Sequence, residues 1–450
     1  MTNRPVPIEA LAGVLLPPDA EGAVDLPVAS HVLVLILLLG LLAGCGEGDR
    51  PLLGEPLVHD SAGVIIQEFP GAVLDEVAPF QLKAEPAVRI GAVEGAAEYQ
   101  WTRPVAGVRF PDGRFAILEA IPAELRIFDA EGTFVRRIGR PGGGPGEFQA
   151  PSGVAVLPGD TLLVWDSQPQ RLSWFSSGGA LERERSLREP GRIQTIRRLT
   201  PGPGGGAVLL GPTASMEDLE NRGRVRENWS VIALTPEGEV GASMGTVPGS
   251  EREIRVQRSG PGEDGIISID VLGRSWWGEG FAWPTGRGVW TADRLQLEVR
   301  RFDVERGLDR VLRVRAPDRP FTRALIDSLH ALELAATEDP QFRQRLRNDF
   351  QLREYPQGVP PVEAIFSDAA GRVWIGLTEL PLVRLSPRGF PGIRGWMVFE
   401  EGPEGAFRPL GKVTLPPLSH PLWGDGEGIL LVRNDEVLGV GYVEWYRFQE

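Results

Sequence analysis

Between Pro104 and Ile138 the chain alternates short apolar runs with compact polar turns. An apolar run follows the proline, Pro111-Asp112-Gly113 breaks it, runs 114–118 and 125–128 come next, and Glu131-Gly132 precedes a last run at 134–138. Short β-rich runs separated by Asp-Gly or Pro-Gly pairs are hairpin signals, so the stretch predicts four consecutive antiparallel strands. The pattern then recurs. Residues 104–132 lie on 151–179 without a gap, pairing Phe115 with Leu162, Ile117 with Val164, Glu119 with Asp166, Leu125 with Leu172, Phe128 with Phe175 and Gly132 with Gly179.

A fixed period of about 40–50 residues built from short strands points to the blades of a propeller. The rhythm continues less regularly at 193–246, with a third strand at 229–234, and at 280–316. It returns at 361–416, where 368–375 and 382–389 repeat the spacing of 112–117 and 125–132. The last stretch, 421–450, supplies three strands and stops at Trp445-Tyr446-Arg447-Phe448. Its missing fourth strand matches Val88-Arg89-Ile90-Gly91, so the N-terminal strand is expected to complete the last blade and close a ring of six, removing two exposed sheet edges. The fold class is therefore all-β: a six-bladed β-propeller of four-stranded blades over 61–450.

One segment breaks the β rhythm. Leu325, Leu329 and Leu332, then Phe342, Leu346 and Phe350, recur at helical spacing, which predicts a helical hairpin at about 321–352 between blades four and five. Its expected role is to cap blade edges, with a lid over the central channel as the alternative.

The string IGRPGGGPGEFQAP at 138–151 has an earlier copy at Ile90-Gly91 with Glu98-Tyr99-Gln100 and a degenerate one at 402–407, each read as a boundary between repeats. A phosphate loop would need GxxxxGK[ST] ahead of a helix; there is no such lysine and no helical pattern follows. The glycines are read as a tight crossing between blades.

Composition adds an address. The single cysteine, Cys45, closes an apolar run at 32–43 that is too short to span a bilayer, which needs about 20 residues, and suits the hydrophobic region of a signal peptide. Leu42-Ala43-Gly44-Cys45 resembles the lipobox of bacterial lipoproteins, which implies lipid transfer to the Cys45 thiol and cleavage before it. Residues 1–45 are then extension and signal peptide, and 46–60 a polar tether. Gly46 is not the Asp that retains many lipoproteins at the inner membrane, so the resemblance implies the outer membrane. The exported domain must be stable without disulfides.

Formal net charge is −14, and all of the 47 basic residues except Lys83 and Lys412 are arginine. No basic cluster accompanies that bias, which argues against nucleic acid as a partner.

The runs at 128–166, 370–375 and 437–448 resemble the six-bladed propellers with NHL-type repeats, especially their bacterial lipoprotein members. The resemblance specifies the fold strongly and function weakly, because the shared residues are turn and packing positions. Propeller enzymes resembling this fold place metal ligands or acid–base groups on the innermost strands. Here those strands, at 105–110, 152–157, 195–199, 280–283, 361–366 and 418–423, offer Arg109, Arg197, Arg198, Glu363 and His420, with Glu279 just outside. One acid and one histidine make neither a Ca²⁺ nor a Zn²⁺ site, so no cofactor is expected; either metal belongs to the alternative of a lactonase-like lyase or hydrolase.

His59, His330 and His420 read as surface or turn residues, and Trp165, Trp174, Trp290 and Trp374 as blade core. Trp276-Trp277 fit no blade position and are a candidate aromatic platform for sugar or peptide. The reading is a monomeric, lipid-anchored scaffold whose ligand face is the channel mouth carrying Arg109, Arg197 and Glu363.

Overall fold

The computed structural model describes residues 55–449 except 78, 188–197, 202–206, 213–222, 236, 260–265, 274–277, 286–287, 336, 380–394, 404 and 436–439. In chain order come β1 (Leu57–Ser61), β2 (Val64–Phe69), a short helix α1 (Val73–Glu76) and β3 (Val88–Ile90). Blade A is β4 (Pro104–Arg109), β5 (Phe115–Ala120), β6 (Ala123–Phe128) and β7 (Phe134–Ile138); blade B is β8 (Pro151–Val156), β9 (Leu162–Asp166), β10 (Arg171–Phe175) and β11 (Leu181–Ser186). Blade C comprises β12 (Arg198–Pro201), β13 (Ala207–Pro212), β14 (Gly223–Leu234) and β15 (Val240–Ser259), extended by β16 (Ile266–Gly273).

Blade D is β17 (Gly280–Thr285), β18 (Gly288–Asp293), β19 (Glu298–Asp303) and β20 (Gly307–Val314). Helices α2 (Arg323–Ala335) and α3 (Pro340–Leu352) follow it. Blade E is β21 (Val362–Ser367), β22 (Val373–Leu377), β23 (Gly395–Glu401) and β24 (Phe407–Thr414). Blade F is β25 (Ser419–Gly424), β26 (Gly428–Asn434) and β27 (Gly441–Arg447), completed by β3 on its outer edge. The innermost strands meet in the order β4, β8, β12, β17, β21, β25 and back to β4, so the ring is closed and the protein is a six-bladed β-propeller.

The second strand of each blade reads as a near-continuous apolar run because it is covered on both faces. In β5, Phe115 and Ile117 enter the core shared with blade F, while Ala116 and Leu118 enter the core shared with blade B. Equivalent cores fill the other four seams, and Trp165, Trp174, Trp290 and Trp374 are buried in them.

Closure takes the expected form: β3 pairs antiparallel with β27, Ile90 opposite Val443 and Val88 opposite Trp445. Its electrostatic lock is Glu444, fully buried on β27, which takes Arg89 Nε of β3 at 2.7 Å and Arg433 Nε of β26 at 2.9 Å. Those arginines hold the Glu444 carboxyl below the usual range, although burial opposes them.

The segment leading to β3 does more than approach the ring. β2 adds in parallel to the outer edge of blade D, and β1 pairs with β2. Gln67 of β2 then clasps blade E, its amide exchanging hydrogen bonds of 2.6 and 2.7 Å with the backbone of Phe407. Further on, Phe80 N donates to Lys412 O on blade E, and Lys83 N to Arg447 O on blade F. The segment is a belt across three blade edges, and residues 53–450 form one compact unit.

Four local expectations are corrected. The third strand of blade E is Gly395–Glu401, farther from β22 than the third strands of blades A and B are from their second strands; the spacing-based position 382–389 lies outside the described residues. Gly402–Phe407 is no blade boundary but the hairpin turn from β23 to β24, closed by Gly402 N to Ala406 O. Blade C does not end near residue 246: β15 runs on to Ser259 and pairs with β16, Arg252 opposite Gly273 and Ser259 opposite Ile266. The edge of blade D is capped by β2, whereas the helical hairpin stands on a small core of its own, Leu329 and Val359 with Phe321, Leu325 and Tyr355.

Candidate functional site

Because every innermost strand runs the same way around the ring, the two faces carry different connections. The lower face holds the turns from first to second and third to fourth strands, all as short as 110–114 or shorter. The upper face holds the turns from second to third strands and the crossings between blades. Among the described residues the long connections fall there, 91–103, 139–150, the paired part of the β15–β16 extension and 315–361, and the strand ends that lead into 188–197, 213–222 and 380–394 lie at the same level. Connections carry function when a rigid scaffold positions them, so the upper face is the candidate site.

At its rim a network of alternating charge crosses blades C, D and E. On blade C, Glu251 pairs with Arg224 and its Oε2 accepts from Gly278 N at 2.8 Å. Ser250 Oγ donates to Glu279 Oε1 at 2.8 Å, and Arg226 Nη2 to Asp293 Oδ1 at 2.7 Å, joining blade C to blade D. Arg294, next after β18, donates from Nη2 to Glu363 Oε1 of blade E at 2.9 Å, with both side chains buried. Arg319, in the stalk of the helical hairpin, donates from Nη1 to Thr378 O at 2.9 Å. Buried charges persist only when paired, and here each named carboxylate meets an arginine, a hydroxyl or a backbone N–H.

Glu363 and His420 are each the second residue of their innermost strand, on neighbouring blades, so both lie at the upper end of the channel. Burial pushes the His420 imidazole down to about 4, leaving it neutral at physiological pH. A neutral imidazole can donate or accept one hydrogen bond.

Arg109 stands elsewhere. It is the last residue of β4, at the lower end, where its Nη1 meets Asp425 Oδ2 at 3.3 Å and Glu427 Oε2 at 3.2 Å of blade F, and its guanidinium sits over Trp445. It therefore braces the seam between blades A and F, and Arg109 and Glu363 do not share one mouth. Arg197, Trp276 and Trp277 lie outside the described residues.

The sequence reading missed Arg294. A signal for it existed: residues that follow a second strand emerge on the upper face, beside the start of the next blade's innermost strand. The arginine bias also has a structural use. Arg114 links Asp112 at 2.6 Å to Asp160 of blade B at 3.2 Å, and Arg301, buried on blade D, grips both oxygens of Asp309 and reaches Glu401 Oε2 of blade E at 2.5 Å. The planar guanidinium suits such forked contacts, and these two carboxylates raise the Arg301 pKa against its burial.

The glycine-rich string is a clasp between blades A and B. Gly139 has φ +74°, and a Cβ there would lie 2.3 Å from the Phe148 ring. Glu147 folds back to accept from Gly144 N at 2.8 Å and from Arg140 Nη2 at 2.7 Å. Its charge is consumed inside the loop.

A family model described as a 6-bladed beta-propeller matches residues 101–187. By sequence, no curated protein matches the chain. Solved structures similar to it include a putative exported protein of Bacteroides fragilis, 10% identical over 83% of this chain and 99% of that one, with a TM-score of 0.45. Another is a calcium-binding protein, regucalcin, of Agrobacterium tumefaciens, 12% identical over 82% and 96%, at 0.39. A third is virginiamycin B lyase of Staphylococcus aureus, 11% identical over 76% and 95%, at 0.35.

Proposed function

We propose that this six-bladed propeller is a lipid-anchored scaffold of the cell envelope, a rigid ring that presents ligand-binding connections on its upper face.

 The observation that carries this reading is the asymmetry of the connections among the described residues: short turns on the lower face, and the long crossings on the upper face, beside a network of paired charges that ends at Glu363. The lipobox-like Leu42-Ala43-Gly44-Cys45 supports the anchor. The ligand is a protein, peptide or carbohydrate. Side chains that could meet it are the upper-end pair Glu363 and His420, with Arg197, Trp276 and Trp277 as candidates from the sequence alone.

Two experiments test the reading. Affinity capture from envelope extracts by the W276A/W277A variant should fall well below wild type at unchanged Tm; equal capture contradicts the part given to these two tryptophans in ligand binding. Cys45→Ala should move the protein from the membrane to the soluble fraction, and unchanged fractionation contradicts the anchor. A metal-dependent lyase or hydrolase is the competing class. Among the described residues no three His, Cys, Asp or Glu side chains gather as a metal site, and stoichiometric Ca²⁺ or Zn²⁺ retained by purified protein would replace the scaffold reading with that one.

A further inference from the structure

The helical hairpin packs on a core separate from the six of the ring. Leu329 and Val359 are buried in it, with Phe321, Leu325 and Tyr355 partly covered around them. So small a core puts the hairpin at the low-stability end of the molecule, where local opening takes far less free energy than global unfolding. The two legs beneath the helices, 315–322 and 353–361, are firmer. Phe321 N donates to Gln357 O at 3.3 Å and Val359 N to Arg319 O at 2.7 Å. Prolines 317, 320, 356, 360 and 361 fix the backbone beside these bonds, so opening belongs to the helices rather than to the legs.

The contact that shuts the helices is partly polar. His330 of α2 lies flat on Phe350 of α3, with ring centroids 3.8 Å apart and planes 3° from parallel. Its Nε2 meets the hydroxyl of Tyr355 on the return leg at 2.8 Å, and Tyr355 packs on Phe321 of the outgoing leg, centroids 5.0 Å apart. One imidazole thus ties both helices to both legs. The neighbours of Tyr355 extend the junction. Arg353 takes Glu333 of α2 at 2.7 Å and Asp349 of α3 at 2.8 Å, and Glu354 reaches Arg224 of blade C at 3.8 Å.

A neutral imidazole suits this setting and a charged one does not. The charged groups around His330 are Arg323, Asp327 and Glu333 on its own helix, Asp349 on α3 and Arg353 on the return leg, beside the phenol of Tyr355. Each of these carboxylates already holds an arginine: Asp327 is engaged by Arg323 at 3.0 Å, and the other two by Arg353. The Arg353 guanidinium also lies 4.9 Å from the centroid of the Phe350 ring on which His330 stacks. An imidazolium there would meet that cation at the same ring, and its Nε2 could no longer accept from Tyr355. Burial, and after it Arg353, hold the His330 pKa below its usual value.

We propose that His330 is a proton-operated catch: neutral, it holds α2 and α3 shut on their legs, and protonated in mildly acidic surroundings it lets the hairpin open while the ring stays folded. Because the folded imidazole takes up its proton at lower pH than the unfolded one, the hold is complete above about pH 6.5 and is lost as pH falls through the interval between the two values. Opening also slackens the Arg353 pairs and the Glu354–Arg224 contact, which frees the projecting arm from blade C. The catch needs no ligand, so it stands apart from the reading of the upper face as a binding surface.

Two measurements test it on protein beginning at Gly46, since residues 53–450 form one compact unit. That protein keeps His59, His330 and His420. The His330 imidazole, assigned by the NMR signal that His330→Gln removes, should titrate with a midpoint below about 6.5, and a midpoint at or above that value overturns the proposal. Amide hydrogen exchange, corrected for the intrinsic rate at each pH, should show the protection of 323–352 in wild type falling by up to about tenfold per pH unit below that point relative to H330Q. Protection of β5 and β6 should change alike in the two proteins, because His420 is common to both. His330→Phe keeps a ring on Phe350 and cannot take a proton, so its helices should follow H330Q. Equal pH dependence of 323–352 in wild type and in both variants overturns the proposal. So does a difference between wild type and the variants that spreads equally to β5 and β6.

Discussion

His420 shows how a single side chain records its surroundings. Its folded-state pKa of about 4 lies below the ordinary value near 6.5, so the folded protein binds a proton less readily than the unfolded chain. The stability linked to it is complete above about pH 6.5 and is lost as pH falls toward 4, by at most roughly 3 kcal/mol. His420→Gln does not titrate in that window. The stability of wild type minus that of the variant, followed by denaturant unfolding between pH 7 and 4, should therefore decline with falling pH; a flat difference would show that the imidazole is solvated. The chain made His420 visible as a residue of an innermost strand, but burial is a property of the neighbouring blades and could not be read from it. Arg109 teaches the complementary lesson. Its place on an innermost strand was legible, whereas its partners Asp425 and Glu427 lie across the ring closure and come near it only when the circle forms.

Among the elements, those that follow the repeat were the most legible. Blades A and B carry their strands where the alternation of apolar runs and glycine turns puts them, because each run must bury both faces between neighbours. The β3 closing strand was legible for the same reason, since the last blade otherwise lacks an outer edge. What the repeat cannot encode is an element that occurs once. β16, the long connection before β23 and the belt containing Gln67 have no second copy to align, and their partners are distant in sequence. The closing strand yields a prediction of its own. Glu444→Gln leaves Arg89 and Arg433 without their shared carboxylate and should cost about 2 kcal/mol, less than a fully buried pair because both arginines can reach water. Denaturant unfolding should give a lower midpoint with an unchanged m-value; an unchanged midpoint would mean that backbone pairing alone secures the closure.

At the scale of the whole molecule, the ring separates stability from variation. The seams are filled by six apolar cores and stapled by arginines, and among the described residues the lower face carries only short turns. The upper face gathers the long connections, the Arg294–Glu363 pair and the projecting hairpin, and the chain enters the ring at that level too. The face on which the account places function can be probed directly within one blade. Glu379 and Ala370 are both exposed on blade E, the first on the upper face and the second in the lower turn between β21 and β22. A photo-crosslinking amino acid placed at each position in the living cell should capture a ligand or partner from Glu379 and none from Ala370. Equal capture from both positions, or capture from Ala370 alone, would contradict the assignment of the upper face as the binding surface.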